Sequence, residues 1–429
     1  VSKHAIINKN IAMIKFLLNL FSPYAHPFEK KVDKFFRQIK SNSDQYKIQK
    51  ELETLMQKDL VILDLWMEKK YKSYKYMKKS VRRKMYEDVK VLNKEFDQYA
   101  ESHKVNVAAL QEQIESHGLD FPENKKNKLT YIAAIMSYLR PGTHYRYEKA
   151  ANFGKLLKNP REEKLIGDCN QIVTLYSYMY SRKYPISDLN IKLLPGHVCL
   201  HFEGIDIEAT NGTFQHYKEH DGVLPITELI TTNLLDVVDA EEKVETIDPR
   251  TRVKRAQFAY AISSKKDLVK RNLDIAYRNV GITLVKRKEF KSAIYFFEKL
   301  GDRDLIKTAY HNATIHYLNA KNYKSASYYA RRTGEPELEN AVTRGQGVNF
   351  YNKKNYKTAL TYFQKINDDR MIKACYQGQY SQLAAKIKNV KTIDDARKYR
   401  STYNAMLDLA HKMGNEQAAN YVRGISGKM

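Results

Sequence analysis

The chain has 429 residues, with 74 Lys and Arg against 49 Asp and Glu, a formal charge of +25 with histidine neutral. Hydrophobic residues at 43% and charged residues at 29% exclude a disordered chain, and 17 Gly with 10 Pro argue against collagen-like or turn-dense all-β architectures. Three cysteines, Cys169, Cys199 and Cys375, have neither the number nor the spacing of a disulfide framework or a zinc site, so any cysteine chemistry is that of a free thiol.

No run of about 18 apolar residues predicts a membrane-spanning helix. The nearest candidate, Ile11–Phe21, follows Lys3 and Lys9 and is interrupted by Lys15 and Asn19. It is expected to be an amphipathic helix docked on a cytoplasmic protein, with export or membrane anchoring as the alternative. From Glu29 to about Glu115, Gly and Pro are almost absent and the apolar residues recur at helical spacing. One predicted stripe runs Tyr74, Met77, Val81, Met85, Val89 and Leu92. Between Glu68 and Tyr86 stand nine cations, Lys69, Lys70, Lys72, Lys75, Lys78, Lys79, Arg82, Arg83 and Lys84, interleaved with Tyr71, Tyr74 and Tyr76. Two readings stand: a solvated helix face, or a surface that meets nucleic acid or an anionic membrane.

A break at Phe121-Pro122-Glu123-Asn124 is followed by a helix through Tyr131–Leu139 that stops at Pro141-Gly142. A second helix, about Cys169–Arg182, places a cysteine where a loop enters a helix; free N-terminal amides and the helix dipole there stabilise a thiolate and a developing oxyanion. Two β-like runs, 191–202 and 205–210, then flank Glu203-Gly204. With a two-residue loop, opposed residues have numbers summing to 407. His197, Cys199 and His201 therefore share a face with Asp206, Glu208 and Thr210, and Glu208 is a diagonal neighbour of His197. Of the two acids, Glu208 is the better orienter of that imidazole.

A cysteine at a helix start, a histidine on a strand and an acid on the next strand, in that order, resemble the transglutaminase-like superfamily of papain-like peptidases, amidases and acyl-transfer enzymes. The similarity spans residues 129–235 and is sharpest at Gly167-Asp168-Cys169, Gly196-His197-Val198 and Glu208-Ala209-Thr210. It implies that Cys169 attacks an amide carbonyl, His197 shuttles the proton and Glu208, where the family commonly has Asp, fixes the imidazole tautomer. Cys199 is expected to be a thiol of the core or one packed behind the site residues. His201, His216 and His220 lack the spacing of a metal site, and no cofactor is expected.

From about Asn272 the pattern becomes periodic. Ala293, Ala326 and Ala359 are 33 residues apart, each preceded at three residues by Phe290, Tyr323 or Tyr356. Phe297, Ala330 and Phe363 follow four residues later, and Gly281, Thr314 and Gly347 precede by twelve. This order of small and aromatic positions resembles the tetratricopeptide repeat, a helix-turn-helix unit whose stacked copies present a partner-binding groove. Residues 374–385 read as a degenerate fourth unit and 392–413 and 416–425 as closing helices. The expected fold is mainly α with one α+β domain: an N-terminal segment (1–25), a basic helical region (26–120), a transglutaminase-like domain (121–245) and a repeat solenoid (246–429). The expected function is a cysteine hydrolase or acyltransferase that forms a thioester at Cys169 and recruits a protein partner or substrate through the repeats. The alternative is a non-catalytic scaffold with a degenerate enzyme domain.

Overall fold

A computed structural model of the chain describes residues 22–40, 43–72, 74–149, 152–220, 222–236 and 248–429. The Ile11–Phe21 segment lies outside the described residues. Among the described residues no helix is long and apolar enough to cross a membrane. The fold is mainly helical with one five-stranded antiparallel sheet. Two compact units divide at Ala276 and Tyr277.

The first unit opens with α1 (Pro27–Gln38), α2 (Gln45–Met67) and α3 (Lys79–Ser102). Leu60–Met67 is an apolar run with Asp64 in it, buried throughout, so this end of α2 lies inside the core rather than on it. A π-helical turn, Glu68–Lys72, follows. Residues 74–78 are not helical, so Tyr74 and Met77 do not share a helix with Val81, Met85, Val89 and Leu92 as the spacing suggested. Both are nevertheless buried.

The basic run is not one solvated surface either. Lys72 and Arg82 are buried, in ion pairs with Glu68 at 3.4 Å and Glu29 at 2.7 Å, and Lys70 pairs with Asp33. Lys79 donates to the Ser22 carbonyl. Only Lys75, Lys78, Arg83 and Lys84 of the nine are exposed. A cation has to be near water to meet an external anion, and these inward members are spent on internal carboxylates.

After α4 (Val107–Glu115) and α5 (Lys126–Tyr138), β1 (Tyr145–Tyr147) pairs in parallel with β2 (Leu165–Gly167). Helix α6 (Cys169–Ser181) is buried on every side from Gln171 onward, the pattern of a central core helix. The sheet contains β3 (Asn190–Leu194), β4 (His197–Phe202), β5 (Ile205–Glu208), β6 (Thr213–Gln215) and β7 (Gly222–Pro225), in the order β6-β5-β4-β3-β7. The 191–202 run is thus two strands. Pro195-Gly196, with Gly196 at φ +69°, turns the chain so that Leu194 faces His197. The next hairpin keeps the counted register, His201 opposite Asp206 and Leu200 opposite Ile207.

Helices α7 (Glu228–Leu235) and α8 (Pro249–Ile262) complete the unit, and one hydrophobic cluster runs from Phe28 to Ile262. The basic helical region and the α+β region therefore share a core, with no break near residue 120. The boundary between units falls within α9 (Lys266–Lys286), about thirty residues later than the sequence partition at 245.

In the second unit, α10 (Phe290–Leu300), α12 (Tyr323–Thr333) and α14 (Tyr356–Lys365) alternate with α11 (Arg303–Asn319), α13 (Pro336–Asn352) and α15 (Asp369–Lys386). Both series begin at intervals of 33 residues. The turn into each helix of the first series repeats in detail, with Lys288, Lys321 and Lys354 at φ +63°, +56° and +56°. Successive pairs are tied by equivalent contacts, Arg278–Asp302, His311–Glu335 and Arg344–Asp368. Helices α16 (Ile393–Lys398), α17 (Arg400–Met413) and α18 (Glu416–Ser426) close the unit around Ile387, Tyr403, Met406 and Val422.

Size complementarity explains the small positions. A Cβ on Gly281 would enter the ring of Phe297, and one on Gly347 would lie 2.8 Å from the ring of Phe363. In the middle pair the equivalent residues are Thr314 and Ala330, both fully buried. Gly281→Thr should therefore destabilise by about 1–3 kcal/mol through overpacking. In a double-mutant cycle read by calorimetry, Gly281→Thr with Phe297→Ala should be more stable than the summed single effects, because it rebuilds the middle pair's solution.

Candidate active site

Three element ends meet at one place. Cys169 is the first residue of α6, whose N-terminus is closed by a capping box between Asp168 and Gln171; the Asp168 carboxylate also accepts from the Asn170 amide at 3.1 Å. His197 opens β4 directly after the Pro195-Gly196 turn, and Glu208 ends β5. His197 Nε2 lies 2.6 Å from Glu208 Oε2, and the Cys169 side chain is near enough to be the strongest influence raising the imidazole. With Nε2 engaged by the carboxylate, Nδ1 is the nitrogen left for sulfur. Cys169 is partly exposed, so the nucleophile position is open to solvent.

Glu208 is buried and gripped from several sides. Its Oε1 accepts from the Thr210 amide at 3.2 Å and the Thr210 hydroxyl at 2.5 Å, while Oε2 also accepts from the Tyr217 hydroxyl at 3.0 Å. Burial alone would raise this carboxyl, but the hydrogen bonds from His197 and Thr210 outweigh it and hold it below the ordinary glutamate value. Hydrogen bonds with Cys169 and then Glu208 push His197 up to about 10.

Free in the unfolded chain, histidine titrates near 6.5. Between that value and about 10 the native state keeps a proton that the unfolded state releases. The stabilisation is complete below pH 6.5 and is lost as pH rises through about 10. The thermal midpoint should therefore fall over this window, and less steeply in His197→Gln, as measured by calorimetry across pH.

Comparison with known protein families, curated proteins and solved structures finds no match.

Asp206, the other acid weighed from sequence, belongs to a neighbouring network. It binds His201 Nδ1, Lys192 Nζ and the Tyr217 amide, each at 2.7 Å. Burial opposes its charge, yet the bonds from His201 and Lys192 hold it below the usual aspartate value. Tyr217 joins the two networks, since its amide serves Asp206 and its hydroxyl serves Glu208. Cys199 shares this face, fully buried, with its thiol pushed up by burial. Among the described residues no group of His, Cys, Asp and Glu converges as a metal site; His216 and His220 are exposed.

Two contributors escaped the sequence reading. Tyr217 lies in the loop after β6, where no strand periodicity locates it. Tyr147 pairs with Gly167 in the β1–β2 register, two positions before Cys169, and stands 52% exposed at that end of the parallel pair. Alternation places Thr210 on the shared face, but its two hydrogen bonds to Glu208 depend on the turn after β5.

Proposed function

We propose that the first unit is a transglutaminase-like cysteine acyl-transfer catalyst. Cys169 sulfur attacks the carbonyl carbon of a peptide or isopeptide amide, and the new C–S bond places negative charge on the carbonyl oxygen. Amides at the start of α6 are the donors nearest that charge. His197, having taken up the Cys169 proton, gives it to the leaving amine as the C–N bond breaks, leaving a thioester on Cys169. Imidazole then takes a proton from water or from an acceptor amine, which attacks the thioester and restores the thiol. Glu208 keeps the imidazole ring oriented and balances its charge. The observation that carries this reading is the single imidazole held at 2.6 Å by a buried, multiply bonded carboxylate with Cys169, at the start of α6, close by.

The second unit, with its recurring helical pairs, is read as a tetratricopeptide-like solenoid that recruits a protein partner.

A thiol-directed electrophile built as an acyl-substrate mimic tests the catalytic reading. Cys199 and Cys375 are buried, so labelling of the native chain should map to Cys169 and vanish in Cys169→Ala. Labelling that persists in this variant, or no labelling of the wild type, would leave the site as a relic within a scaffold.

A further inference from the structure

Residues Tyr277–Met429 carry 28 Lys and Arg against 13 Asp and Glu, so the greater share of the net charge belongs to the second unit. Its arrangement is asymmetric. The acids that recur with the repeat, Asp302, Glu335 and Asp368, are engaged by Arg278, His311 and Arg344 between successive helix pairs. The cations that recur on α10, α12 and α14 are left outside. Lys291, Tyr295 and Lys299 fall at i, i+4 and i+8 on α10, which is one stripe of a helix. The same positions are Lys324, Tyr328 and Arg332 on α12, and Lys357, Thr361 and Lys365 on α14. All nine are exposed, and none of the six cations has an ion-pair partner among the described residues. Glu298 is the one carboxylate on these three helices.

We infer that this lattice docks an acidic, carboxylate-rich peptide segment of a partner protein. The inference goes beyond the Cys169 reading and does not depend on it. Charge complementarity is the main argument: two unneutralised cations per helix recur in register over three repeats, where an ordinary solvated surface intersperses both signs. The tyrosines separate carboxylates from nucleic acid as the occupant. Lys299 lies over Tyr295 at 5.6 Å and Arg332 over Tyr328 at 3.7 Å, so these cations cover one face of each ring. Arg332 is further fixed by donating to the Tyr328 carbonyl at 2.9 Å. On α14 the ring is replaced by Thr361, which removes the run of open aromatic platforms that single-stranded nucleic acid needs for successive base stacking. What remains directed outward is a set of partly preordered cationic donors suited to carboxylates.

The test is fluorescence anisotropy of a fluorescein-labelled poly-glutamate peptide with the full chain at physiological salt. The triple variant Lys299→Glu, Arg332→Glu, Lys365→Glu should bind about tenfold or more weakly than wild type, since exposed charge pairs contribute modestly and three are reversed. A matched variant, Lys388→Glu, Lys391→Glu, Lys428→Glu, changes net charge equally at exposed positions off the lattice and should bind within about twofold of wild type. If the glutamate variant loses its helical circular dichroism, the glutamine version of the same triple replaces it, with the loss expected to be smaller and in the same direction. Equal loss in both variants, absence of peptide binding, or binding of an oligouridylate in preference to the peptide would each overturn the inference.

Discussion

Under the proposed acyl-transfer role, replacing Glu208 by Gln should lower turnover of p-nitrophenyl acetate by about a thousandfold or more, the scale seen when the orienting carboxylate of a catalytic triad becomes an amide. The geometry makes this an unforgiving exchange. Both carboxylate oxygens of Glu208 accept: Oε1 from two groups of Thr210, and Oε2 from His197 and Tyr217. An amide has one accepting end. Either orientation of Gln aims an NH₂ at donors, toward the Thr210 amide or toward the imidazole N–H, and the negative charge that balances His197 is lost. Tyr217→Phe removes one donor and leaves that charge, so about a tenfold loss is expected, with the pH profile shifted rather than abolished. Stopped-flow turnover of the two variants against wild type, at several pH values, checks both. Wild-type-like rates in Glu208→Gln would show that the acid takes no part.

Truncating Arg82 to Ala costs the first unit about 3–5 kcal/mol, the usual penalty for stripping a buried charge of its partner. Arg82 Nε and Nη2 bind the two oxygens of Glu29 at 2.7 and 3.2 Å, and the remaining donors reach the Met77 and Pro23 carbonyls at 2.7 and 2.8 Å. Removal leaves a buried carboxylate and two carbonyls without their cation. Trp66, the one tryptophan of the chain, lies 5.3 Å from the guanidinium and reports this region alone. Urea unfolding followed by tryptophan fluorescence should therefore show the loss, while the helical signal of the Trp-free second unit should not move with it. The double change Glu29→Leu, Arg82→Met should recover only part of the stability: it removes the unpaired buried charge but leaves the Met77 and Pro23 carbonyls, the Ala25 amide and the Tyr86 hydroxyl without these partners.

The same pair shows where periodicity misleads. Nine cations in nineteen residues read naturally as a wet surface, yet Arg82 and Lys72 are among the most deeply buried side chains. Their partners lie at different reach: Glu68 is four residues from Lys72, whereas Glu29 is 53 residues from Arg82 and invisible to any local window. The break at residues 74–78 was hidden for a related reason. A buried Tyr74 and a buried Met77 keep helical spacing with Val81 and Met85 even though the backbone between them is not helical. At 195–196 the signal was present. Pro followed by Gly is a turn dipeptide, and it divides what looked like one long strand just before His197.

Local chemistry alone determined much of this protein. The 33-residue recurrence, the start of α6 at Cys169, the hairpin register and the choice of Glu208 over Asp206 all follow from short-range rules: helical and strand periods, capping residues and loop length. The inward turn of Lys70, Lys72 and Arg82, the grip of Tyr217 on Glu208, and the pairing of Tyr147 with Gly167 just before Cys169 were decided only by tertiary structure. The +25 charge belongs to both. Its size is a matter of composition, but which cations face water depends on where the carboxylates come to rest when the chain folds. Those carboxylates neutralise much of the dense 68–86 run and leave the sparser, evenly spaced cations of the repeats exposed.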